Sequence, residues 1–459
     1  MNATLVLVFL VVCVGILLVV PVHGPGALAM CVVFSLPTII VLARGKDRTF
    51  LVRVFMAALI IRLVVGTGIF VLHLQDFFGG DAITYDTFGL ALTQAWHGDS
   101  SNLLAYEQFV SSGAGAWGML YLVAVVYELV GHNMLAIQFI NAAVGAATPA
   151  VIYQNAQLLF NNSRTSRLAA VLIAFYPSLV LWSSQGLKDG LIVTALALGM
   201  LATLRLMKRV KMYDILMLTS CLIVLLSLRF YIFYMMVVAI VGAFVVGLKA
   251  TDTQALVQRF VAIVLIGLAL TWVGVLRTAG AQFERFGNIE AVQTSRADLA
   301  RSADSGFGKD VDVRTTEGAL TIIPLGVIYL LFAPFPWQLA SLRQSLTLPE
   351  MVVWWICFPL LILGLWYAIK HRLREVSPIL LFTTMLTLAY SVFQGNVGTA
   401  YRQRSQLLVF YFIFAAVGAI LVREKMEDRR RQAELEKQEL AERRAARVFG
   451  QRQSIGISK

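Results

Sequence analysis

The sequence predicts an all-α, polytopic membrane protein of about twelve transmembrane helices plus interfacial or re-entrant helices. Three observations carry this reading. Apolar residues make up 59% of the 459 positions, with a mean hydropathy of +0.77. Charged residues are only 14% of the chain, against about 25% in soluble domains, and they crowd into the tail from Arg423 onward. Successive apolar runs reach the roughly 20 residues needed to cross about 30 Å of hydrocarbon, with basic clusters between them. The net charge of +12 is therefore read as a topology signal and as contact with anionic lipid, not as nucleic-acid binding. Cys13, Cys31, Cys221 and Cys357 lie in apolar runs without paired spacing and read as small core hydrophobes. The histidines show no metal-ligand spacing, and the chain carries no Walker loop, dinucleotide fingerprint or zinc motif.

In chain order, segments 3–22 and 27–43 are joined by a turn holding Pro21, Gly24, Pro25 and Gly26. The first has neither a charged leader nor a small-residue cleavage site, so it reads as a retained helix. Arg44, Lys46, Arg48 and Arg53 follow, and the positive-inside rule places them in the cytoplasm. Segment 50–73 then runs outward with Arg62 near its middle. A charge at that depth asks for a buried partner or a polar cavity, which a packed ion pair also supplies. Residues 74–132 form an external loop, within which 116–130 reads as a helix lying at the interface. Segment 133–155 runs inward to Arg164 and Arg167, and segment 167–184 returns outward to Lys188 and Asp189. Segment 190–206 descends to Arg205, Lys208, Arg209 and Lys211.

Segments 213–228 and 230–248 make a hairpin with Arg229 at its external tip, and 257–276 runs outward again. Residues 277–318, including the Phe-Glu-Arg-Phe run at 283–286, Arg296, Arg301 and Arg314, read as an external loop. Segment 319–335, bounded by prolines, reads as re-entrant or interfacial, since irregular backbone is tolerated where it lines a protein cavity. Segments 350–369, 377–394 and 405–422 close the bundle around a cytoplasmic cluster of Lys370, His371, Arg372 and Arg374. The tail carries favourable i,i+4 pairs, Glu427 with Arg431 and Glu439 with Arg443, and reads as a solvated cytoplasmic helix.

The candidate chemistry concentrates at residues 78–98, which begin Phe-Gly-Gly-Asp-Ala-Ile-Thr-Tyr-Asp. Asp81 and Tyr85 share a helix face, while Asp86 is rotated by about 100°. Local physics leaves two readings open. Asp81 takes a proton while Tyr85 orients a hydroxyl or phosphate, or Asp81 simply caps the helix that follows. The topology puts Asp81, Tyr85, Asp86, Lys188, Asp189, Arg229, Arg402 and Arg404 on one face, together with Gln394 and Asn396. Paired carboxylates beside fixed cations suit a reaction with a hydroxyl nucleophile and an anionic leaving group. A carboxylate takes the hydroxyl proton, and Lys188, Arg229, Arg402 and Arg404 hold a phosphate by charge-assisted hydrogen bonds. Tyr85, Asp86, Gln394 and Asn396 are the candidate substrate contacts.

The order of motifs is an outward helix, Gly-Asp-x-x-x-Tyr at 80–85, an external loop, Leu120–Tyr121 and a helix around Asn141. Leu-Phe-Asn-Asn-Ser-Arg at 159–164 and Ala-Phe-Tyr-Pro-Ser at 174–178 follow. This resembles the N-terminal module of the GT-C superfamily of polyprenyl-phosphate-sugar-dependent glycosyltransferases, in its protein-mannosyltransferase-like and lipopolysaccharide-core-transferase-like branches. The resemblance implies a GT-C-like module over 50–210, two additional helices over 1–49, a variable membrane module over 211–422 and a charged tail over 423–459. It implies transfer of a sugar from a polyprenyl-phosphate donor to an envelope glycan, lipid or protein acceptor. The setting is a bacterial inner (plasma) membrane, with the site on the extracytoplasmic side and no nucleic acid involved. In the family the acid of the first external loop is the base or acceptor-orienting group, which matches Asp81; its second acidic site maps to Asp189. No cofactor and no metal ligand is assigned, and a divalent-metal requirement stays open.

Three departures accompany the resemblance: the two extra leading helices, Ala82 where a second acid is usual, and Lys188 before Asp189. Gly-Thr-Ala-Tyr-Arg-Gln-Arg at 398–404 is similar to envelope polymerases and ligases that use lipid-diphosphate glycans, which is the alternative reading. A transporter or flippase of lipid-linked saccharides is a further one, although the polar residues gather at one face and no repeat is evident. The topology predicts that Ser100→Cys, in a background without native cysteines, reacts with an impermeant maleimide added outside intact cells. Labelling only from the cytoplasmic side inverts the arrangement and removes the proposed face.

Overall fold

The computed structural model describes residues 3–45, 47–99, 101–111, 117–246, 253–272, 274–275, 289–301, 306–308, 311–339 and 342–456. Among these the chain is all α-helix, with one isolated bridge between Gly306 and Asn396 and no strand. Lys46, Ser100 and the Phe-Glu-Arg-Phe run at 283–286 lie outside the described residues.

Among the described residues six helices are long and apolar enough to cross a membrane: Gly24–Ala43, Arg48–Val71, Met134–Phe160, Asp189–Lys208, Leu342–Phe393 and the helix that starts at Val397. The bent pair Ser163–Phe175 and Pro177–Ser183 makes a seventh. The other apolar segments form shorter helices, Ala3–Val19, Met212–Leu228, Phe230–Val246 and Thr316–Phe332 among them. Leu342–Phe393 contains two of the predicted spans, and its backbone leaves helical geometry at Arg372 (φ −139°, ψ 23°), inside the basic cluster between them. Trp117–Val130 has 14 residues, about 21 Å at 1.5 Å per residue, too short to cross; it packs along Asp81–Trp96.

Met134–Phe160 is the central helix, buried along most of its length against Gly24–Ala43, Arg48–Val71, Ser163–Phe175 and Asp189–Lys208. Lipid offers no hydrophobic drive for helix association, so close packing of small residues has to hold such helices together. Ala142, Ala143, Gly145 and Ala146 provide it: a Cβ on Gly145 would stand 2.4 Å from the Ser183 side chain.

The decisive local feature is the break at Tyr176–Pro177. Pro177 has no N–H and interrupts the helical ladder, and the two halves meet at 56°. Arg62, fully buried, reaches into the break. It donates from Nη1 to the Ala174 carbonyl and to its own Ala58 carbonyl, both at 3.0 Å, and from Nε to Ser183 Oγ at 2.8 Å. The partner that Arg62 demanded is therefore backbone and hydroxyl oxygen, not a carboxylate. Beyond Ser183 the chain turns through 184–188, and the last carbonyls of the Pro177–Ser183 helix have no intrahelical donor. Asn141 supplies one, its Nδ2 donating to the carbonyls of Trp182 (3.3 Å), Gln185 (2.7 Å) and Leu187 (2.9 Å). Gly190 lets this clamp close, since a Cβ there would come within 2.4 Å of Asn141 Oδ1. Lys188 and Asp189 are thereby fixed at the head of their helix.

At the opposite end of the bundle Arg167 pairs with Asp47 at 2.6 Å, the Tyr153 hydroxyl also donates to Asp47, and Arg205 donates to Gln154 at 2.6 Å. Arg167 and Arg205 are among the basic residues that the positive-inside rule places on one side. Asn141→Ala leaves buried carbonyls without a donor, a loss on the order of 1–3 kcal/mol. The expected outcome is a clearly lower melting midpoint in detergent; an unchanged melt removes the clamp from the account.

Candidate active site

Asp81 and Asp189 each stand at the first position of a helix, Asp81–Trp96 and Asp189–Lys208. Helix N-termini carry partial positive charge and favour a carboxylate there. Gly79, at φ +123°, makes the left-handed turn that leads into the first of them. The N-cap is Gly80, and the Asp81 carboxylate turns instead to Arg402, whose Nη1 donates to Oδ2 at 2.6 Å. Of the two local readings, the observed geometry is that of a side chain facing outward to a cation.

Arg402 lies near the start of the helix from Val397 and joins both acids. Its Nε donates to Asp189 Oδ2 at 2.7 Å, its Nη2 lies 2.5 Å from the same oxygen, and its guanidinium sits 5.6 Å above the Trp182 ring. Arg229, between the helices Met212–Leu228 and Phe230–Val246, places Nη2 at 3.5 Å from Asp189 Oδ1. Lys188 holds its Nζ 5.8 Å from the centre of the Tyr85 ring. Exposure separates the two acids: the Asp81 side chain is 51% exposed, whereas that of Asp189 is 0% exposed. Arg402 and Arg229 balance the two carboxylates, and Lys188 adds a third basic group. Arg229 Nη1 is buried without a hydrogen-bond acceptor among the described residues, so the cluster has a donor to offer an anion.

A cavity of roughly 730 Å³ opens beside this cluster, within the size range of small-molecule sites. Arg402, Trp182 and Tyr401 line it on the cluster side, and Ile61, Val65, Phe175, Val180, Leu181 and Leu346 make its wall apolar. Phe78, Gly79 and Arg343 also border it. Arg343 donates to the Asp76 carbonyl at 3.1 Å and lies 5.0 Å over the Phe77 ring.

The remaining candidates are distributed unevenly. Tyr85 is buried beneath Lys188. Asp86 is held away from the cluster by the Tyr127 hydroxyl and by His132 Nε2 at 2.9 Å. Gln394 is buried and donates to Gln403. Asn396 borders the cavity, and its Oδ1 accepts the Gly398 N–H at 2.8 Å. Arg404 is not brought to the cluster: two residues past Arg402 is a rotation of about 200° around the helix. Its Nε donates to the Leu330 carbonyl at 2.6 Å, its Nη2 to the Ala333 carbonyl, and its Nη1 lies 2.9 Å from Met351 Sδ. Arg404 thus secures the end of the Thr316–Phe332 helix. Two cavity residues, Trp182 and Arg343, are not among the sequence candidates. Trp182 has a signal, its place in Trp-Ser-Ser-Gln-Gly-Leu-Lys-Asp; Arg343 has none nearby. Among the described residues no three His, Cys, Asp or Glu side chains gather as a metal site.

Residues 116–275 match the family described as dolichyl-phosphate-mannose-protein mannosyltransferase. The match covers about a third of the chain and supports the GT-C superfamily resemblance, hence an integral-membrane, polyprenyl-phosphate-sugar-dependent glycosyltransferase in general. It includes Lys188, Asp189 and Arg229; Asp81 and Arg402 lie outside it. No curated protein matches the chain.

Removing one partner of a buried ion pair costs about 3–5 kcal/mol, whereas an exposed pair contributes roughly 0–1 kcal/mol. Asp189→Asn is therefore expected to lower the melting midpoint sharply and Asp81→Asn to leave it nearly unchanged. Equal melts for the two variants overturn the distinction between them.

Proposed function

We propose that the chain transfers a sugar from a polyprenyl-phosphate donor to a hydroxyl of an envelope glycan, lipid or protein acceptor. The setting is the extracytoplasmic side of a bacterial plasma membrane. The observation that carries this reading is the half-exposed Asp81, ion-paired to Arg402, which itself lines a large, mainly apolar cavity. An isoprenoid chain suits the apolar wall, and its phosphate suits the guanidinium donors at the Arg402 end. Arg229 Nη1 and Arg402 hold the phosphate oxygens by charge-assisted hydrogen bonds.

In this reading Asp81 orients the acceptor hydroxyl and takes its proton as the oxygen attacks the anomeric carbon. The bond between that carbon and the phosphate oxygen breaks with its electron pair going to the phosphate, and the configuration inverts. The fixed arginines stabilise the charge that develops there without having to reorganise. Asp189 has no exposed surface, so its part is to position Arg402 and Arg229 and not to meet the sugar. Arg404, with its donors engaged by backbone carbonyls, drops out of the phosphate contacts.

One observation favours the alternative donor, a lipid-diphosphate glycan: Arg343 borders the same cavity as Arg402, and a second phosphate would meet it there. Offering purified protein both donor types separates the readings. With a polyprenyl-phosphate sugar as donor, Asp81→Asn is expected to lower transfer by about 10²–10⁴-fold, the usual contribution of a general base, with its melt intact. Full turnover in the folded variant would end the assignment of Asp81.

A further inference from the structure

The cations of the cluster are not equivalent. Arg402 and Arg229 are tied to Asp189, and Arg402 to Asp81 as well. The side-chain amine of Lys188, in the turn just ahead of the Asp189 helix, makes no hydrogen bond among the described residues and rests against the face of Tyr85. It is partly buried. The charged and titratable groups that act on it are Arg229, Asp189, Arg402 and Asp81, and Tyr85 lies beneath it. Both carboxylates are already matched by arginines, so a third positive charge here is in excess until an anion arrives. Arginine keeps its proton in proteins; lysine gives it up readily when buried.

The proposed reaction creates a charge that something must balance. A sugar phosphodiester carries one negative charge, and the phosphomonoester left after transfer carries two. The acceptor hydroxyl releases one proton in the same event. Resting on the polyprenyl-phosphate reading, we propose that Lys188 is the final holder of that proton. The hydroxyl proton passes to Asp81 and then to the Lys188 amine, the glycosidic C–O bond forms as the C–O bond to phosphate breaks, and the phosphate leaves as a dianion facing a newly formed ammonium. Atoms and charge balance within the site: one hydroxyl proton lost, one ammonium gained, one phosphate charge gained. Asp81 alone is a poor final holder, because a proton resting there would cost it the ion pair with Arg402. Burial, and then the neighbouring Arg229, pull the Lys188 amine down to about 7, so at neutral pH a large share of it is free to accept. An adjacent phosphate dianion reverses that by favouring the charged form.

Proton stoichiometry tests this where a merely structural lysine would give nothing. Binding of farnesyl phosphate, standing for the product, is followed by calorimetry in buffers of different ionisation enthalpy at about pH 8.5, where the phosphate, with a second pKa of roughly 6, is already a dianion. The wild type is expected to take up about one proton per ligand, and clearly less with farnesyl methyl phosphate, a singly charged diester standing for the donor. Lys188→Arg, with a fixed charge, and Lys188→Met, with none, are both expected to lose the uptake while farnesyl phosphate still binds. Uptake that persists in either variant, or that is as large with the diester, overturns the role of Lys188 alone. Failure of the wild type to bind farnesyl phosphate overturns the polyprenyl-phosphate reading and this inference with it.

Discussion

Everything at the site depends on one buried charge. Asp189 has no exposed side-chain surface, and a carboxylate removed from water carries a penalty of several kcal/mol unless cations and hydrogen bonds compensate it. Its compensation comes from far along the chain, from Arg229 and from Arg402. The Asp189 helix is therefore electrostatically incomplete until the later helices dock against it. Docking also delivers Arg402 to Asp81, so one act of packing satisfies the buried acid and equips the exposed one. The two acids occupy equivalent helix positions and differ in burial.

The scaffold beneath this pair is irregular backbone made safe by side chains. Inside a bilayer every unpaired carbonyl is costly, and non-helical backbone survives only where protein groups satisfy it. Arg62 does this at the Pro177 break and Asn141 at the turn that follows. Neither touches the cavity cations. Each holds the chain in the one path that aims Lys188 and Asp189 at the cluster. A charge deep in a membrane helix is commonly read as functional; the carbonyls around Arg62 show how one can instead be a fastening.

Much of the arrangement is legible in the sequence because helix length and charge bias act locally. The all-α class and the shared face of Asp81, Lys188, Asp189, Arg229 and Arg402 follow from counting spans between basic clusters. The same logic includes Arg404, which lies at the same membrane depth, because depth is readable while azimuth around a helix is not. A two-residue offset sends Arg404 to the Leu330 and Ala333 carbonyls. Asp86 is placed apart from the cluster for a related reason: its partners, Tyr127 and His132, belong to a neighbouring helix and its end. Arg343 is held beside the cavity by the carbonyl of Asp76, in the four-residue helix Gln75–Phe78, a contact that leaves no trace in composition or periodicity. The break at Arg372 within Leu342–Phe393 is marked in sequence only by the basic residues around it.

The last helix runs unbroken from Val397 to Gly456, and it is fastened at two points. Close to its head Arg402 meets Asp81 and Asp189; twenty-five positions later, about 38 Å along the axis, Glu427 meets Arg164 at 2.9 Å. A rigid rod fastened at two points has a fixed phase as well as a fixed length. One residue added or removed between them would turn one end by about 100° relative to the other. The guanidinium at the head would then face neither acid, with every residue it contacts still present. This stretch of chain is in that sense a ruler: its length, as much as its composition, determines whether the site is assembled.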